Sequence, residues 1–207
     1  RLTDVTGVQT CALPISGGIF EPLTAEKLQK MIEDHYMLIA TLQDQIIGFV
    51  FCSTNSNLFG ITASDIDYSE NSQRELMESM KEGQVVFGGD GIVDPDYRGQ
   101  GVLSLLELEM VKMMRQSGFA FGIVEIYEII GEDSQENVPS TNGHVRIGGQ
   151  LLKTPPKIRT YKIGGKTVRV AVRRFFGKLN LVQSLLEARL ARKISCNNIR
   201  QEKMTTV

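Results

Sequence analysis

The sequence predicts a single α/β domain, and three observations carry that expectation. Strand-like runs over 36–53 and 158–172 are each broken by a two-residue turn signal, as β-hairpins are. Between them, the order strand, Gly-rich loop, apolar helix, strand runs from Val85 to Ile126. The composition is that of a globular chain: 207 residues, 42% of them hydrophobic and 23% charged, suffice for one buried core. No apolar run approaches the roughly 18 residues needed to cross a bilayer. Cys11, Cys52 and Cys196 are too scattered for a disulfide framework or a clustered metal site. A membrane span and a disulfide-built secreted domain are thereby excluded, and the expected location is the cytoplasm.

Residues 1–16 are read apart from the domain. Val5-Thr-Gly-Val-Gln-Thr-Cys-Ala-Leu-Pro-Ile15 resembles the reading-frame translation of a common short-read sequencing adapter. It lacks the basic region and apolar core of a secretory leader. The expected organisation is a non-native segment 1–16, a main domain 17–175, and a basic amphipathic helix and tail at 176–207.

Thr24 caps a short helix over about 24–34, with Glu26 in its first turn and Leu28, Met31 and Ile32 on one face. Tyr36–Leu42 and Gln45–Ser53 form a hairpin about Gln43-Asp44. Its second strand, apolar on both faces, belongs inside a sheet. The polar stretch 54–83, with a helix over 73–81, reads as a lid-like insertion. Val85–Val93 is a strand, Asp94–Gly101 a turn-rich loop, and Val102–Gln116 a buried helix stopped by Gly118. A strand over 119–126, a short helix over 142–152 and a hairpin of 158–163 with 167–172 follow. An Arg- and Lys-rich amphipathic helix over 179–194 completes the chain.

Arg98-Gly99-Gln100-Gly101 opens a helix, so backbone N–H groups unobstructed by Cβ atoms sit at the positive end of the helix dipole. That is an anion cradle, but one without the Lys-Ser/Thr of a P-loop or the three glycines of a dinucleotide fingerprint. Val93-Asp94-Pro95-Asp96-Tyr97-Arg98-Gly99-Gln100-Gly101-Val102 resembles the acyl-CoA-binding motif of the GNAT superfamily of N-acetyltransferases. That pattern is Arg/Gln-x-x-Gly-x-Gly/Ala after a Val-x-Pro-x-Tyr approach. Arg98 and Gly101 match, whereas Leu103 stands where Gly or Ala is usual. The resemblance covers about residues 24–175 and implies a mixed, mostly antiparallel sheet flanked by helices, N-terminally truncated here. It implies acetyl-CoA as co-substrate. The backbone of Ile92 and Val93 would meet the pantetheine arm, and the N–H groups of Arg98, Gly99, Gln100, Gly101 and Val102 the pyrophosphate. Asn142 would sit at the opening of the following helix.

Direct attack of an amine on a thioester needs a base, an oxyanion donor and an acid. Asp90 and Glu125 lie on the two strands flanking the loop and helix, so each is a candidate base. Asp90 could equally cap a bulge between glycines, and Glu125 could be a solvent-facing strand residue. The resemblance places a Tyr acid seven residues after Asn142, where this chain has Gly149, which leaves Tyr127 or water. His144 fits a capping role better than a ligand role, and Cys52 reads as a small buried hydrophobe.

The near-zero net charge hides a split. Residues 1–152 hold 9 basic and 22 acidic side chains, whereas residues 153–207 hold 14 basic and 2 acidic ones. The preferred reading packs this basic third on the chain's own acidic body, which disfavours a nucleic-acid partner, and the Leu stripe of 179–194 offers a homodimer surface instead. The sequence thus points to acetyl transfer to a small-molecule or peptide amine. Its alternatives are a non-catalytic acyl-CoA-binding domain and a nucleic-acid or partner-binding module.

Overall fold

The computed structural model describes residues 29, 36–55, 61, 66, 70–131, 138–154, 157–163 and 166–204. The segment 1–16, the helix expected over 24–34 apart from Gln29, and Gly164-Gly165 lie outside the described residues. Within them, seven strands form one mixed, mostly antiparallel sheet in the order β1-β2-β3-β4-β7-β5, with β6 also on β7. The strands are β1 Tyr36–Leu42, β2 Gln45–Ser53, β3 Val85–Val93, β4 Phe121–Ile130, β5 Gln150–Leu151, β6 Lys157–Ile163 and β7 Lys166–Lys178. The helices are α1 Asn71–Lys81, α2 Val102–Gln116, α3 Val138–Arg146 and α4 Leu179–Met204. None of the described helices is long and apolar enough to cross a membrane.

The β1–β2 hairpin closes as its turn residues require. Gln43 and Asp44 have φ of 48° and 65°, the doubly left-handed turn whose twist matches paired antiparallel strands. β2 lies between β1 and β3, which explains why both its faces are apolar. Among the described strands only β3 and β4 run parallel, joined through α2.

The sheet buries both faces. On one, Leu76 and Met77 of α1 meet Val85, Phe87, Phe121, Ile123, Leu152 and Phe176. On the other, Leu106, Met110 and Met114 of α2 cover Val50, Cys52, Val86 and Leu179. Full burial of one such side chain contributes about 1.5–3 kcal/mol. α1 is therefore part of the core, which corrects the expectation that it belongs to a lid. Its polar residues misled: Gln73 is fully buried, and the apolar face is only two side chains wide.

Other bounds also differ: the helix expected over 142–152 is α3, Val138–Arg146, followed by the short strand β5, and the strand expected over 119–126 is β4, Phe121–Ile130. β4 extends to Ile130 because it pairs with β7 along its whole length, from Phe121↔Lys178 to Ile130↔Arg169. β7 passes directly into α4. The basic third answers the acidic body through Lys153–Glu70, Arg159–Glu125, Arg173–Glu128, Arg174–Glu125 and Lys178–Glu75. Every one of these pairs joins a base after position 152 to an acid before it.

Candidate functional site

The loop after β3 is ordered by its own short-range hydrogen bonds. The Asp94 N–H donates to the Ile47 carbonyl at 2.9 Å, which fixes the loop to β2. The Asp94 carboxylate accepts from the Asp96 N–H at 2.9 Å and starts a single turn over Pro95–Tyr97. The Arg98 N–H donates to the Pro95 carbonyl at 3.3 Å, so this N–H, expected among the pyrophosphate donors, is already engaged. The Arg98 side chain folds back, Nε to the Val93 carbonyl at 3.1 Å. The Gln100 amide reaches the Asp96 carbonyl at 3.1 Å.

Gly101 caps α2 with φ 97°, a left-handed conformation that any side chain would strain. Its carbonyl accepts the first helical bond, from the Leu105 N–H at 3.0 Å. The N–H groups of Val102, Leu103 and Ser104 therefore have no intrahelical acceptor, at the positive end of a 15-residue helix. Above Gly99 the space is open: a Cβ built there meets nothing within 4 Å.

Leu103, the departure from the motif, is absorbed by the opposite strand. Its Cδ1 lies 2.6 Å from where a Cβ on Gly91 would stand. A large side chain on α2 is thus matched by a missing one on β3, and helix and strand keep their close approach.

The parallel ladder stops early. β3 and β4 pair from Val85↔Phe121 to Gly88↔Val124, although β3 continues to Val93 and β4 to Ile130. Beyond Gly88, β3 follows β2 through Val50↔Gly91, Phe49↔Ile92 and Gly48↔Val93. Beyond Val124, β4 follows β7. The β2–β3 register slips between Val50 and Cys52, so that Gly89 and Asp90 together oppose Phe51. Asp90, Ile92 and Val93 thus stand along one side of the opening and Glu125 and Tyr127 along the other. The Asp90 backbone is described; its side chain is not among the described residues.

Glu125 is not solvent-facing. Its side chain is 3% exposed, with Arg174 at 5% and Arg159 at 25%. Its carboxylate accepts from Arg174 Nε at 3.2 Å, Arg159 Nη2 at 3.2 Å and the Tyr127 hydroxyl at 3.0 Å. Arg159 Nη1 also donates to the Tyr127 oxygen at 3.0 Å, and its guanidinium lies 5.7 Å from the centre of that ring. Burial works against the Arg159 charge, but Glu125, followed by Tyr127 and Tyr161, outweighs it and raises the Arg159 pKa. No local pattern signals this quartet, because its members come from three strands.

Asn142 does not open a helix; it lies within α3, exposed, four residues after Val138. His144, on the same helix, stacks against Phe175 with ring centroids 6.4 Å apart, and burial lowers its pKa to about 4. Cys52 is a buried thiol with its Sγ 3.3 Å from the Met110 sulfur and 3.5 Å from that of Met114, and burial pushes its pKa up to about 12. At neutral pH Cys52 is therefore a thiol and no nucleophile, while His144 is a neutral imidazole. Sequence reasoning also missed Lys193 of α4, whose Nζ donates to the Gly99 carbonyl across 94 positions of sequence.

No family model matches the chain, and no curated protein matches it. Among solved structures, it is similar to the ribosomal-protein-S18-alanine N-acetyltransferase from Escherichia coli, with 13% identity, a TM-score of 0.49, and 77% of this chain and 79% of that one covered. It is similar to an N-acetyltransferase from Staphylococcus aureus Mu50 at 11% identity and TM-score 0.44, over 77% and 79% of the two chains. An IAA acetyltransferase from Bacillus cereus ATCC 14579 shows 11% identity and TM-score 0.44, over 75% and 85%.

Proposed function

We propose that this chain binds acyl-CoA and transfers the acyl group, most simply acetyl, to a primary amine. The observation that carries this reading is the conjunction of two features at one end of β3. The strand loses its β4 partner after Gly88, and it leads into a Gly101-capped helix whose first N–H groups are open. An extended amide chain fits a strand edge that has lost its partner, and a pyrophosphate fits open N–H groups at a helix start.

In this reading Gly99, Gln100, Gly101 and Val102 hold the pyrophosphate, and the backbone of Ile92 and Val93 receives the pantetheine arm. The Val93 carbonyl, which accepts from Arg98, keeps a second lone pair. The co-substrate supplies a thioester carbonyl for the amine to attack. Asp90, whose backbone lies at the bulge of β3, is the base this reading assigns to the amine's proton. Glu125 accepts from three donors, and its part is to hold Tyr127 and Arg159 at the β4 side of the opening. Tyr127, whose hydroxyl proton rests on Glu125, is the candidate donor to the leaving thiolate.

The test is calorimetric titration of acetyl-CoA into the full chain and into Gly101→Asp, which sets a carboxylate at the helix start. Thiol release is then assayed against a panel of primary amines. Binding by the parent and not by a folded Gly101→Asp supports the cradle, and amine-dependent thiol release supports transfer. A folded parent that does not bind acetyl-CoA overturns the proposal. Binding without thiol release at any amine would leave a binding domain, a reading that the saturated Glu125 carboxylate favours.

A further inference from the structure

We propose that Cys52, Met110 and Met114 form a binding site for a soft monovalent metal ion, copper(I), between strand β2 and helix α2. The site is independent of the acyl-CoA reading, since it draws on neither the Gly99–Val102 loop nor the opening between β3 and β4.

Three sulfurs from two elements converge there. Met110 and Met114 stand four residues apart, so they share one face of α2. Cys52 follows Val50 by two positions and shares the face of β2 that α2 covers. The Cys52 Sγ lies 3.3 Å from the Met110 Sδ and 3.5 Å from the Met114 Sδ. All three residues are at most 5% exposed, so water is kept from the sulfurs, and Val50, Val86, Leu106 and Leu179 close around them.

Packing alone accounts for one of these contacts and not for both. A thiol has a single proton and a thioether has none, so the Cys52 S–H can be aimed at one Sδ only. The other pair brings sulfur lone pairs together with no hydrogen between them. A cation set against all three sulfurs removes that conflict. The donor set selects the cation: thiolate and thioether ligands suit copper(I), whereas zinc takes thiolate, imidazole and carboxylate. Among the described residues no group of three or more His, Cys, Asp or Glu side chains could hold a metal ion, so a harder divalent ion has no such cluster among them.

Charge points the same way. Burial pushes the Cys52 thiol up to about 12, since a thiolate alone would be an unpaired charge in this core. Copper(I) supplies the counter-charge. On binding, the S–H bond breaks, an S–Cu bond forms and the proton leaves to solvent; copper stays monovalent, and the thiolate and its ion together are neutral. Methionine side chains are flexible enough for both Sδ atoms to adjust about the ion. Met113, half-buried at the margin of the same cluster, offers an entering ion its first thioether.

The experiment uses the full chain carrying Cys11→Ser and Cys196→Ser, which leaves Cys52 as its single thiol. Copper(I), kept reduced by ascorbate without oxygen, is titrated in competition with the chromogenic chelator bicinchoninate. Met110→Leu, Met114→Leu and Cys52→Ser are compared with that parent, leucine being chosen because it conserves volume, and the melting temperature of each metal-free protein is the folding control. The expected result is one copper(I) per chain, a melting temperature raised by the metal, binding about tenfold weaker in each leucine variant, and none in Cys52→Ser. X-ray absorption of the copper-loaded parent should show three sulfur neighbours, and zinc(II) should leave the melting temperature unchanged. A parent that yields all its copper to bicinchoninate, leucine variants that bind as the parent does, fewer than three sulfur neighbours, or an equal rise with zinc(II) overturns the inference.

Discussion

Glu107→Gln should stabilise the protein at alkaline pH and do nothing at acidic pH. Glu107 sits on α2, and burial raises its pKa from 4.5 to about 7, with Arg189 acting in the opposite direction. In the unfolded chain the carboxyl ionises at its ordinary value, so between those two pH values the folded state binds a proton that the unfolded state has lost. Stability associated with this group is fully present below 4.5 and is lost as pH rises to about 7. The interval is about 2.5 pH units, each about 1.4 kcal/mol, so the charged form costs the folded state about 3 kcal/mol at pH 8. Glutamine has nearly the same shape and no charge to desolvate. The variant should therefore be more stable than the parent by about 3 kcal/mol above pH 7, or about 6–12 °C in melting temperature. That advantage should vanish near pH 4.5. The assay is urea unfolding of both proteins across this range, reading the difference between them. His144, whose pKa is lowered from 6.5 to about 4, gives a slope of the opposite sign, but it is common to both proteins and cancels. A difference that is flat with pH, or a variant less stable at pH 8, would refute the reasoning. The latter would mean that pairing with Arg189 outweighs burial.

Three further outcomes follow from the packing. Gly91→Ala should cost about 1–3 kcal/mol by driving a Cβ into Leu103, and in a Leu103→Ala background the same change should be nearly neutral. A double-mutant cycle by chemical denaturation measures that coupling. Glu125→Ala leaves the charges of Arg159 and Arg174 without their shared carboxylate and should destabilise by about 3–5 kcal/mol, whereas removal of the exposed Glu109 should change stability by less than about 0.5 kcal/mol. Cys52 should resist alkylation in the native protein at pH 8 and react once urea unfolds it, followed by mass spectrometry of its peptide. Rapid native labelling would contradict its burial.

Local signals carried much of the fold. The ends of β1, β2, β3 and α2 are readable from periodicity, a two-residue turn and a stop glycine, because each boundary is set by residues within a few positions. What the chain does at long range is not readable in that way. The helix over Asn71–Lys81 is visible in Leu76, Met77 and Met80, but that it packs into the core depends on Val85, Phe121 and Phe176, which no local pattern ties to it. Asn142 and Gly143 look like a helix boundary because both residue types disfavour helix interiors, yet α3 starts at Val138 and runs through them. The site divides similarly. Gly99 and Gly101 announce a loop at a helix start, whereas the end of the β3–β4 ladder, the Gly91 recess under Leu103 and the approach of Lys193 exist only once distant segments meet.

The sheet is assembled out of the order in which it is synthesised. β7, the partner of β4, β5 and β6, is the last made of the described strands, and it feeds straight into α4. Until it docks, β4 presents ten residues of unpaired backbone edge and the outer flank of α2 lacks Leu186. A nascent chain that has exposed everything up to α2 is thus still without its sheet's central pairing, and slow, nonlocal closure is the expected last folding step. The ribosome must release the chain beyond Lys193 before Gly99 and Lys193 can meet, so chaperone demand should concentrate on the interval between the synthesis of α2 and that of α4.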